Sequence, residues 1–194
     1  DNLSRGRLEN LSKIKEQIEF KKIDILDFNS LKQVISDSDG VFHQAALTSV
    51  PESFTQKEKY HNVNVKGTEN IFKLAKEFGK KVVYASSSSI YGNTTTIPIQ
   101  ENFEKNPINP YGITKLDDEK LAEKYHNLGV SIIGLRYFNV YGIGQTNDYA
   151  GVITKFINQI NSNESPIIFG DGSQTRDFIS VEDVAKANLS SMES

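Results

Sequence analysis

The chain has 194 residues, 37% of them hydrophobic, and its 22 basic and 25 acidic side chains give a formal net charge of −3. This length suits one domain with a sizeable core, and the charge offers no basic face for nucleic acid. No apolar run approaches the ~18 residues of a membrane span, and nothing resembles a signal peptide. Because cysteine is absent and histidines number only three, we expect no disulfide and no metal site. These features predict a cytoplasmic α/β protein.

Predicted strands and helices alternate along the chain. Apolar runs predict strands at 17–25, 40–46, 81–87, 130–138 and 165–169. Apolar residues at helical spacing predict helices at 29–37, 57–78, 110–128, 151–161 and from about 181 onward. Such alternation, with strands that are apolar almost throughout, predicts a doubly wound, mostly parallel sheet with helices on both faces.

Ligands of doubly wound sheets bind beyond the carboxyl ends of the strands. In this chain the rule selects the positions after Asp24, after 43–46, after 85–87 and after 136–139. Polar or small residues stand at each of these places. His43 fits a buried, hydrogen-bonded histidine at a strand end better than it fits a catalyst.

Tyr111 and Lys115 stand four residues apart on a predicted helix and therefore share one face of it. An ammonium beside a phenol favours the phenolate, which is a general base. The hydroxyl of Ser87 is a candidate to hydrogen-bond the reacting oxygen. Chance alone gives about 0.7 Tyr–Lys pairs at this spacing in a chain of this composition. A solvated helix face therefore explains the spacing equally well when the pair is taken alone.

Four segments around this pair give it a context. In chain order they are VVYASSSSIYG, NPYGITK, LRYFNVYG and FGDGSQTRDFISVEDVA. Together they resemble the extended short-chain dehydrogenase/reductase family, and the likeness is greatest to its nucleotide-sugar epimerases, the UDP-glucose and UDP-N-acetylglucosamine 4-epimerases. The resemblance runs through the whole chain.

The resemblance implies a Rossmann-like fold with NAD as cofactor and a UDP-sugar as substrate. It implies a partial NAD-binding domain over 1–150, followed at 151–194 by the start of a substrate-binding part and a returning helix. The family's first strand and its Gly-x-x-Gly-x-x-Gly turn are absent from this sequence. We therefore expect an internal piece of a longer enzyme, which the resemblance implies is a homodimer, and we expect little NAD binding by this chain alone.

The resemblance also assigns roles to individual residues. Tyr111 would be the acid/base, Lys115 would bind the nicotinamide ribose and favour the phenolate, and Ser87 would complete the catalytic set. The implied cofactor-binding residues are Asp1, Asn2, Asp24, Ile25, Gln44, Ala45, Ala46, Asn64, Ser86, Tyr111, Lys115 and Tyr137. The implied substrate-binding residues are Ser49, Ser87, Ser88, Asn139 and Arg176.

Several of these assignments have physical arguments for or against them. A carboxylate at Asp1 would repel a 2′-phosphate and so favour NAD over NADP, although Arg5 and Arg7 nearby weaken that preference. The planar guanidinium of Arg176 suits phosphate oxygens. Asn64 has a structural alternative, since buried asparagines often hold backbone groups. Ser86, too, fits a strand end built of small residues.

The implied reaction is inversion at C4 of the sugar through a 4-keto intermediate. Nucleotide-sugar 4,6-dehydratases and decarboxylases are the first alternative. They tend to carry an acidic residue just before the Tyr-Gly pair, where this chain has Ser88, Ser89 and Ile90. The alternative of another class is a non-catalytic nucleotide-binding scaffold or an inactive fragment. Such scaffolds typically lose the tyrosine or the lysine, and this chain keeps both.

Overall fold

The computed structural model describes residues 1–145 and 151–194. Within these ranges the strands are β1 (Gly40–His43), β2 (Lys81–Ser87), β3 (Ile132–Tyr137), β4 (Asn139–Tyr141) and β5 (Phe178–Ser180). The α-helices are α1 (Phe28–Ser36), α2 (Val50–Thr55), α3 (Lys57–Tyr60), α4 (Gly67–Phe78), α5 (Pro110–Asn127), α6 (Val152–Asn161) and α7 (Val181–Glu193). A π-helical turn, His61–Lys66, joins α3 to α4, and 3-10 helices cover Leu8–Leu11, Lys15–Gln17 and Ser88–Tyr91.

The central sheet contains β1, β2 and β3 in that order, and both pairings are parallel. Val82 of β2 lies opposite Val41 on one side and Ile132 on the other. Helices α4 and α5 pack on one face with α1 beside α4, and α7 packs on the other face. The predicted parallel sheet with helices on both faces is confirmed. The carboxyl ends of all three strands meet at one edge, as parallel pairing requires.

The main core lies between this sheet and helices α1, α4 and α5. Phe72 of α4 is fully buried, and its ring meets the ring of Tyr84 edge-on, with centroids 5.5 Å apart. Tyr84 fits because β3 carries Gly134 beside it, where a Cβ would lie 2.6 Å from the tyrosine hydroxyl. The buried members of the core are Leu31, Ile35, Ile71, Phe72, Leu74, Ala75, Val82, Tyr84, Ala122, Tyr125 and Val130.

Two predicted strands are wrong. Residues 18–24 and 165–169 lie outside any strand, because neither segment pairs with another strand in the described part of the chain. Without a partner, the backbone groups of an extended segment cannot form a ladder. The predicted strand at 40–46 is also shorter than expected, since pairing with β2 ends at His43.

The helix predicted at 57–78 is present, but it is not regular. Its middle is the π-helical turn, which contains the buried Asn64. A π turn adds a residue to the helical repeat and often occurs at functional sites. The helix ends as predicted at Gly79, which adopts the left-handed conformation (φ 63°).

The segment after β3 forms a small sheet of its own and then returns to the central one. β4 pairs in parallel with β5, and α7 follows β5 directly and covers β2 and β3. The helix predicted from about residue 181 is therefore present as α7, whereas the division into two domains, with a boundary near residue 150, stays a prediction. Among the described residues no helix has both the length and the apolar character that crossing a membrane demands.

Candidate active site

Ser86 and Ser87 end the central strand β2 and point to opposite faces of the sheet, because side chains alternate along a strand. The Ser86 hydroxyl donates a 2.7 Å hydrogen bond to Glu119 of α5. The Ser87 hydroxyl instead accepts a 3.1 Å hydrogen bond from the backbone N–H of Ser89 and so caps the 3-10 helix that follows. The structure therefore gives Ser86 a structural partner and leaves the Ser87 hydroxyl at the carboxyl edge of the sheet.

Tyr111 lies in the first turn of α5, which starts against the turn that follows β2. Asn109 caps this helix by accepting a 2.8 Å hydrogen bond from the backbone N–H of Gly112. A Cβ on Gly112 would lie only 2.7 Å from the carbonyl oxygen of Ser89, so glycine permits a close approach of the two backbones. The Tyr111 ring packs beside Leu47 and is 9% exposed. The catalytic tyrosine candidate is thus held next to the strand end that carries Ser87.

Lys115 lies one turn further along α5 and is almost completely buried. Its ammonium donates a 3.0 Å hydrogen bond to the carbonyl oxygen of Ala85 and a 3.1 Å bond to Asp118 Oδ2. The first bond attaches Lys115 to β2 two residues before Ser87. The predicted catalytic set of Ser87, Tyr111 and Lys115 therefore converges on one edge of the sheet, and the reading of Lys115 as part of a solvated helix face is wrong.

A small buried polar cluster surrounds this lysine. Asp118 is fully buried, and His43 Nε2 lies 2.8 Å from the Thr68 hydroxyl on the neighbouring helix α4. Burial, together with the charge of Lys115, lowers the pKa of His43 to about 3, so the ring is neutral at ordinary pH. Burial raises the pKa of Asp118 to about 6, although the charge and the hydrogen bond of Lys115 act in the opposite direction. The prediction that His43 is a hydrogen-bonded structural histidine is confirmed.

Asn64 is buried and its amide is fully engaged. Its Oδ1 accepts a 2.8 Å hydrogen bond from the Leu47 N–H, and its Nδ2 donates to the Leu47 carbonyl and to the Thr114 hydroxyl, both at 3.0 Å. The Thr114 hydroxyl in turn donates to the carbonyl oxygen of Tyr111. These contacts support the structural alternative for Asn64, which fixes the loop after β1 against the turn that carries Tyr111.

Glu119 and Arg136 form a second polar cluster, behind the strand end. Arg136 of β3 binds Glu119 through two parallel hydrogen bonds of 2.8 and 2.9 Å, and it donates a 2.6 Å bond to the Tyr91 hydroxyl. Lys105 and Ser86 bind the same carboxylate at 2.9 and 2.7 Å. This cluster ties β2, β3, α5 and the loop after Tyr91 together.

Two of the predicted cofactor residues near the start of the chain contact each other. Asn2 Nδ2 donates a 2.7 Å hydrogen bond to Asp24 Oδ2. The Asp1 carboxylate is exposed and caps the Leu3 N–H. Ile25 packs against Gly67, where a Cβ would collide with its side chain. The structure thus brings Asn2 and Asp24 together and leaves the Asp1 side chain open to solvent.

Gln44 follows β1 and Tyr137 ends β3, the two outer strands of the sheet, and both side chains are linked through α7. The Tyr137 hydroxyl donates to Gln44 Oε1 at 3.2 Å, and it accepts a 2.6 Å hydrogen bond from Asn188 Nδ2. Gln44 Nε2 donates to Asn188 Oδ1 at 3.0 Å, which closes a triangle of amides and phenol. Ala45 and Ala46 follow Gln44 as small, partly buried residues.

The predicted substrate residues lie in two places. Asn139 and Arg176 line one cavity of about 560 Å³ between α6 and the small sheet, and both are exposed. Ser49 caps α2 by accepting from the Glu52 N–H, while Ser88 begins the 3-10 helix beside Ser87. A larger cavity, of about 1070 Å³, lies along β3 and includes Tyr137, but its lining contains none of the three catalytic candidates.

Sequence reasoning missed four polar residues that shape this site, namely Thr68, Asp118, Glu119 and Asn188. Each lies on a helix among other polar residues, where a side chain that turns inward has no distinctive sequence pattern. Asp118 does stand three positions after Lys115, a spacing that places two side chains on one helix face. The same spacing also describes Asp117 and Lys120, whose 2.8 Å pair is exposed. Spacing alone could not separate the two pairs.

The fold and this edge of the sheet define a short-chain dehydrogenase/reductase type of domain, with a serine at the end of the central strand and a tyrosine and a lysine on the helix beside it. The chain belongs to the NAD dependent epimerase/dehydratase family, whose family model matches residues 2–194. This assignment confirms the resemblance drawn from the sequence motifs.

Curated relatives of this family have more than one activity. The UDP-glucuronate 4-epimerase of Thermodesulfobacterium geofontis is 38% identical over 98% of this chain and 59% of its own length. The UDP-N-acetyl-alpha-D-glucosaminuronate decarboxylase of Bacillus cytotoxicus is 33% identical over 100% of this chain and 62% of its own length. These two relatives carry out different reactions on different UDP-sugars.

Solved structures match the fold closely. The UDP-N-acetylglucosamine 4-epimerase of Methanobrevibacter ruminantium M1, in complex with UDP-N-acetylmuramic acid, has a TM-score of 0.96 and 41% identity, covering 100% of this chain and 64% of that structure. The UDP-glucuronic acid 4-epimerase of Bacillus cereus, in complex with UDP-glucuronic acid and NAD, has a TM-score of 0.87 and 32% identity, covering 96% and 60%. The chain thus spans less than two thirds of the length of these relatives.

Proposed function

We propose that the full-length protein is an NAD-dependent epimerase that inverts C4 of a UDP-sugar through a 4-keto intermediate. The observation that carries this proposal is the convergence of Ser87, Tyr111 and Lys115 on one sheet edge, which a close backbone approach at Gly112 makes possible. A side chain that exchanges a proton, a buried cation and a hydroxyl donor are the groups that proton transfer at a sugar hydroxyl requires.

The residues present fit NAD at this edge. Lys115 has three ammonium hydrogens, and the two hydrogen bonds to Ala85 and Asp118 leave one for a ribose hydroxyl. Asn2 and Asp24 form a polar pair near the start of the chain. With the nicotinamide ribose at Lys115, the adenosine of NAD would lie at this pair. The small residues Ala45 and Ala46 leave the backbone accessible. When bound, NAD supplies the acceptor and then the donor of the hydride at C4.

Residues of this chain carry out the proton transfer. The Tyr111 hydroxyl oxygen takes the proton of the C4 hydroxyl as the hydride leaves, and it returns that proton when the hydride comes back to the other face of the sugar. Ser87 donates a hydrogen bond to the same sugar oxygen, which holds the oxygen as its charge changes.

The cavity between α6 and the small sheet supports a site for the nucleotide diphosphate. Arg176 lines it with a permanently charged planar group that suits phosphate oxygens, and Asn139 lies beside it. Apolar side chains such as Phe156 and Phe169 line the rest and suit a flat base. We therefore propose that the diphosphate binds at Arg176 and that the sugar extends from there toward Ser49, Ser88 and Tyr111.

A 4,6-dehydratase or a decarboxylase is the second candidate, since a decarboxylase is among the relatives. Those reactions need a further proton transfer near the sugar. Residues 86–91 offer only hydroxyl and apolar side chains in this chain. Glu119, the acidic residue bound to Ser86, is engaged by Arg136 on the opposite face of the sheet. These features favour epimerisation.

The test is to incubate the full-length protein separately with UDP-glucose, UDP-N-acetylglucosamine and UDP-glucuronic acid and to follow the products by mass spectrometry and proton NMR. An epimerase produces a C4 epimer of unchanged mass from at least one of them. Loss of water would identify a dehydratase, and loss of carbon dioxide from the uronic acid would identify a decarboxylase. A protein that binds NAD but changes none of the three sugars would contradict epimerisation of these substrates and favour a scaffold.

A further inference from the structure

The ion pair between Lys115 and Asp118 is buried at both ends. Their side chains are 4% and 0% exposed, and Lys115 Nζ lies 3.1 Å from Asp118 Oδ2. Asp118 Oδ1 is also buried, and it accepts no hydrogen bond from any residue that the structure describes. A carboxylate in this position loses its hydration and recovers only part of it from its partners.

This pair is a poor source of stability. Burying an ion pair costs about as much in desolvation as the attraction returns, and apolar residues of the same volume often do as well. Here the cost is visible, since burial holds the pKa of Asp118 above its usual range despite the adjacent ammonium. Because Asp118 adds little to the stability of the fold but contacts Lys115, a role in positioning that lysine is the better explanation of its burial.

We propose that Asp118 is a positioning residue for Lys115: its carboxylate and the Ala85 carbonyl together fix the ammonium, so that the third hydrogen meets a ribose hydroxyl of the bound dinucleotide. The inference rests on the proposed function, because it assumes that Lys115 binds NAD. It predicts that NAD binds more tightly when Asp118 is ionised than when it is protonated.

The groups around Asp118 allow its change of charge to be observed separately from theirs. The titratable groups that face it or its partners are His43 of β1, Tyr84 of β2, and Lys115, Asp117 and Glu119 of α5. His43 stays neutral, with a pKa of about 3, and burial raises the pKa of Tyr84 above its usual range. Glu119, with a pKa of about 2, stays ionised. In weakly acidic solution Asp118 is the member of this cluster that changes its charge.

The experiment measures the dissociation constant of NAD⁺ by calorimetry from about pH 5 to about pH 8, using full-length protein freed of bound nucleotide. All variants carry Tyr111→Phe, which removes the phenol of the acid/base candidate from the titration. We expect affinity to fall by about fivefold from the alkaline to the acidic end, on the way to a limit of about tenfold between the two protonation states, the scale of a hydrogen bond to a charged group. Adding Asp118→Asn should give the weaker affinity at every pH and abolish the slope.

Asp117→Asn is the matched control, because that carboxylate is one position away on the same helix and pairs with Lys120 at the surface. It should leave the affinity at the alkaline end unchanged and keep the pH dependence, moved slightly to lower pH because the Asp117 charge raises the pKa of Asp118. An Asp118→Asn variant that binds as tightly as its parent, with the same pH dependence, would overturn the positioning role. If the parent protein, which keeps Asp118, binds no NAD, the proposed function fails and this inference fails with it. If the parent binds NAD and Asp118→Asn changes nothing, only this inference fails.

A second measurement covers the case in which Asp118→Asn does not fold. The carboxyl carbon of Asp118 is titrated by NMR in the otherwise unaltered protein, with and without NAD⁺. If ionised Asp118 favours NAD binding, linkage requires that NAD lower the pKa of Asp118 by about one unit for a tenfold difference in affinity. An Asp118 pKa that is the same in both states would contradict the proposal.

Discussion

The α-carbon of Gly112 faces the carbonyl oxygen of Ser89 so closely that a Cβ on Gly112 would lie 2.7 Å from it. This contact joins the first turn of α5 to the 3-10 helix that follows β2. Tyr111 precedes the glycine, and Ser87 lies two residues before the carbonyl. The distance between the two catalytic candidates is therefore set by backbone packing, at a point where a side chain has no room.

Gly112→Ala should separate these two backbones and impair turnover more than it impairs folding. Overpacking of this kind costs about 1–3 kcal/mol of stability, and a displacement on the order of 1 Å at a reacting group costs about 10²-fold in rate. Thermal unfolding and steady-state kinetics of the full-length protein measure the two effects. Lys120→Ala, an exposed position of the same helix, is the control. Wild-type turnover in Gly112→Ala would show that the close contact is not needed.

Tyr111→Phe keeps the ring and its packing but removes the group that exchanges the proton. We expect turnover to fall by about 10²–10⁴-fold, the usual contribution of a positioned general acid/base, while the unfolding temperature barely changes. Tyr125→Phe, at the buried far end of the same helix, is the matched control and should keep normal turnover. A folded Tyr111→Phe enzyme within about threefold of wild type would exclude the acid/base role.

The sequence predicted the parts of this fold that depend on local pattern. The β-branched run 81–87 is a strand over its whole predicted length, and the helix predicted at 110–128 differs from α5 by one residue. The wrong strands at 17–25 and 165–169 have the same apolar character, but they lack a neighbouring strand in the described residues. Strand formation depends on a partner that local sequence does not specify.

The site shows the same division. Motif order was enough to select Ser87, Tyr111 and Lys115, which the fold brings to one edge. Motif order could not show that the Asn64 amide forms hydrogen bonds with Leu47 and Thr114, because those partners are 17 and 50 residues away in sequence. The role of a buried polar side chain depends on its tertiary contacts, and a single sequence does not reveal those contacts.

The serines at the end of β2 offer a matched pair. Ser87→Ala removes the hydroxyl at the sheet edge and should lower turnover, though by less than Tyr111→Phe, because it removes a hydrogen bond and not the proton acceptor. Ser86→Ala removes a hydroxyl bound to Glu119 on the other face, and we expect it to reduce stability while leaving turnover near normal. Kinetics and thermal unfolding of both variants separate these outcomes. Equal turnover losses in the two would contradict the assignment of faces.

Cofactor preference should depend on Asp1 and on the partner of Arg5. Asp1→Asn removes a charge that repels a 2′-phosphate, so the ratio of NAD to NADP affinity should fall. Arg5 is bound to Glu52 by two hydrogen bonds of 2.6 and 2.7 Å, so a carboxylate engages its guanidinium. Glu52→Gln should weaken the Arg5–Glu52 interaction and make Arg5 available to a 2′-phosphate. The ratio of NAD to NADP affinity should therefore fall in this variant as well. Calorimetry with both cofactors measures it, and an unchanged ratio in Asp1→Asn would place Asp1 away from the ribose.

The last prediction concerns acid stability and Glu119. Burial by itself would raise the pKa of this carboxyl, but the hydrogen bonds and charges of its partners, chiefly Arg136, outweigh burial and lower the pKa to about 2. Because the folded-state pKa is depressed, the carboxylate contributes stability that is fully present above its ordinary pKa of about 4.5. That stability is lost as pH falls toward about 2. Glu119→Gln should therefore destabilise the protein at neutral pH by about 1–3 kcal/mol, the scale of hydrogen bonds to a charged group.

The difference between wild type and Glu119→Gln should shrink as the solution becomes more acidic, because the wild-type carboxyl then loses its charge as well. Urea unfolding at several pH values between about 7 and about 3 measures this difference, and the other carboxyls cancel in it. Glu123→Gln, one turn further along α5 and exposed, is the control and should show no such trend. The weaker pair in Glu119→Gln should also loosen the loop after Tyr91, which Arg136 holds through the Tyr91 hydroxyl and the Glu101 carbonyl. A difference that stays constant down to the most acidic condition would mean that Glu119 acts through packing and not through its charge.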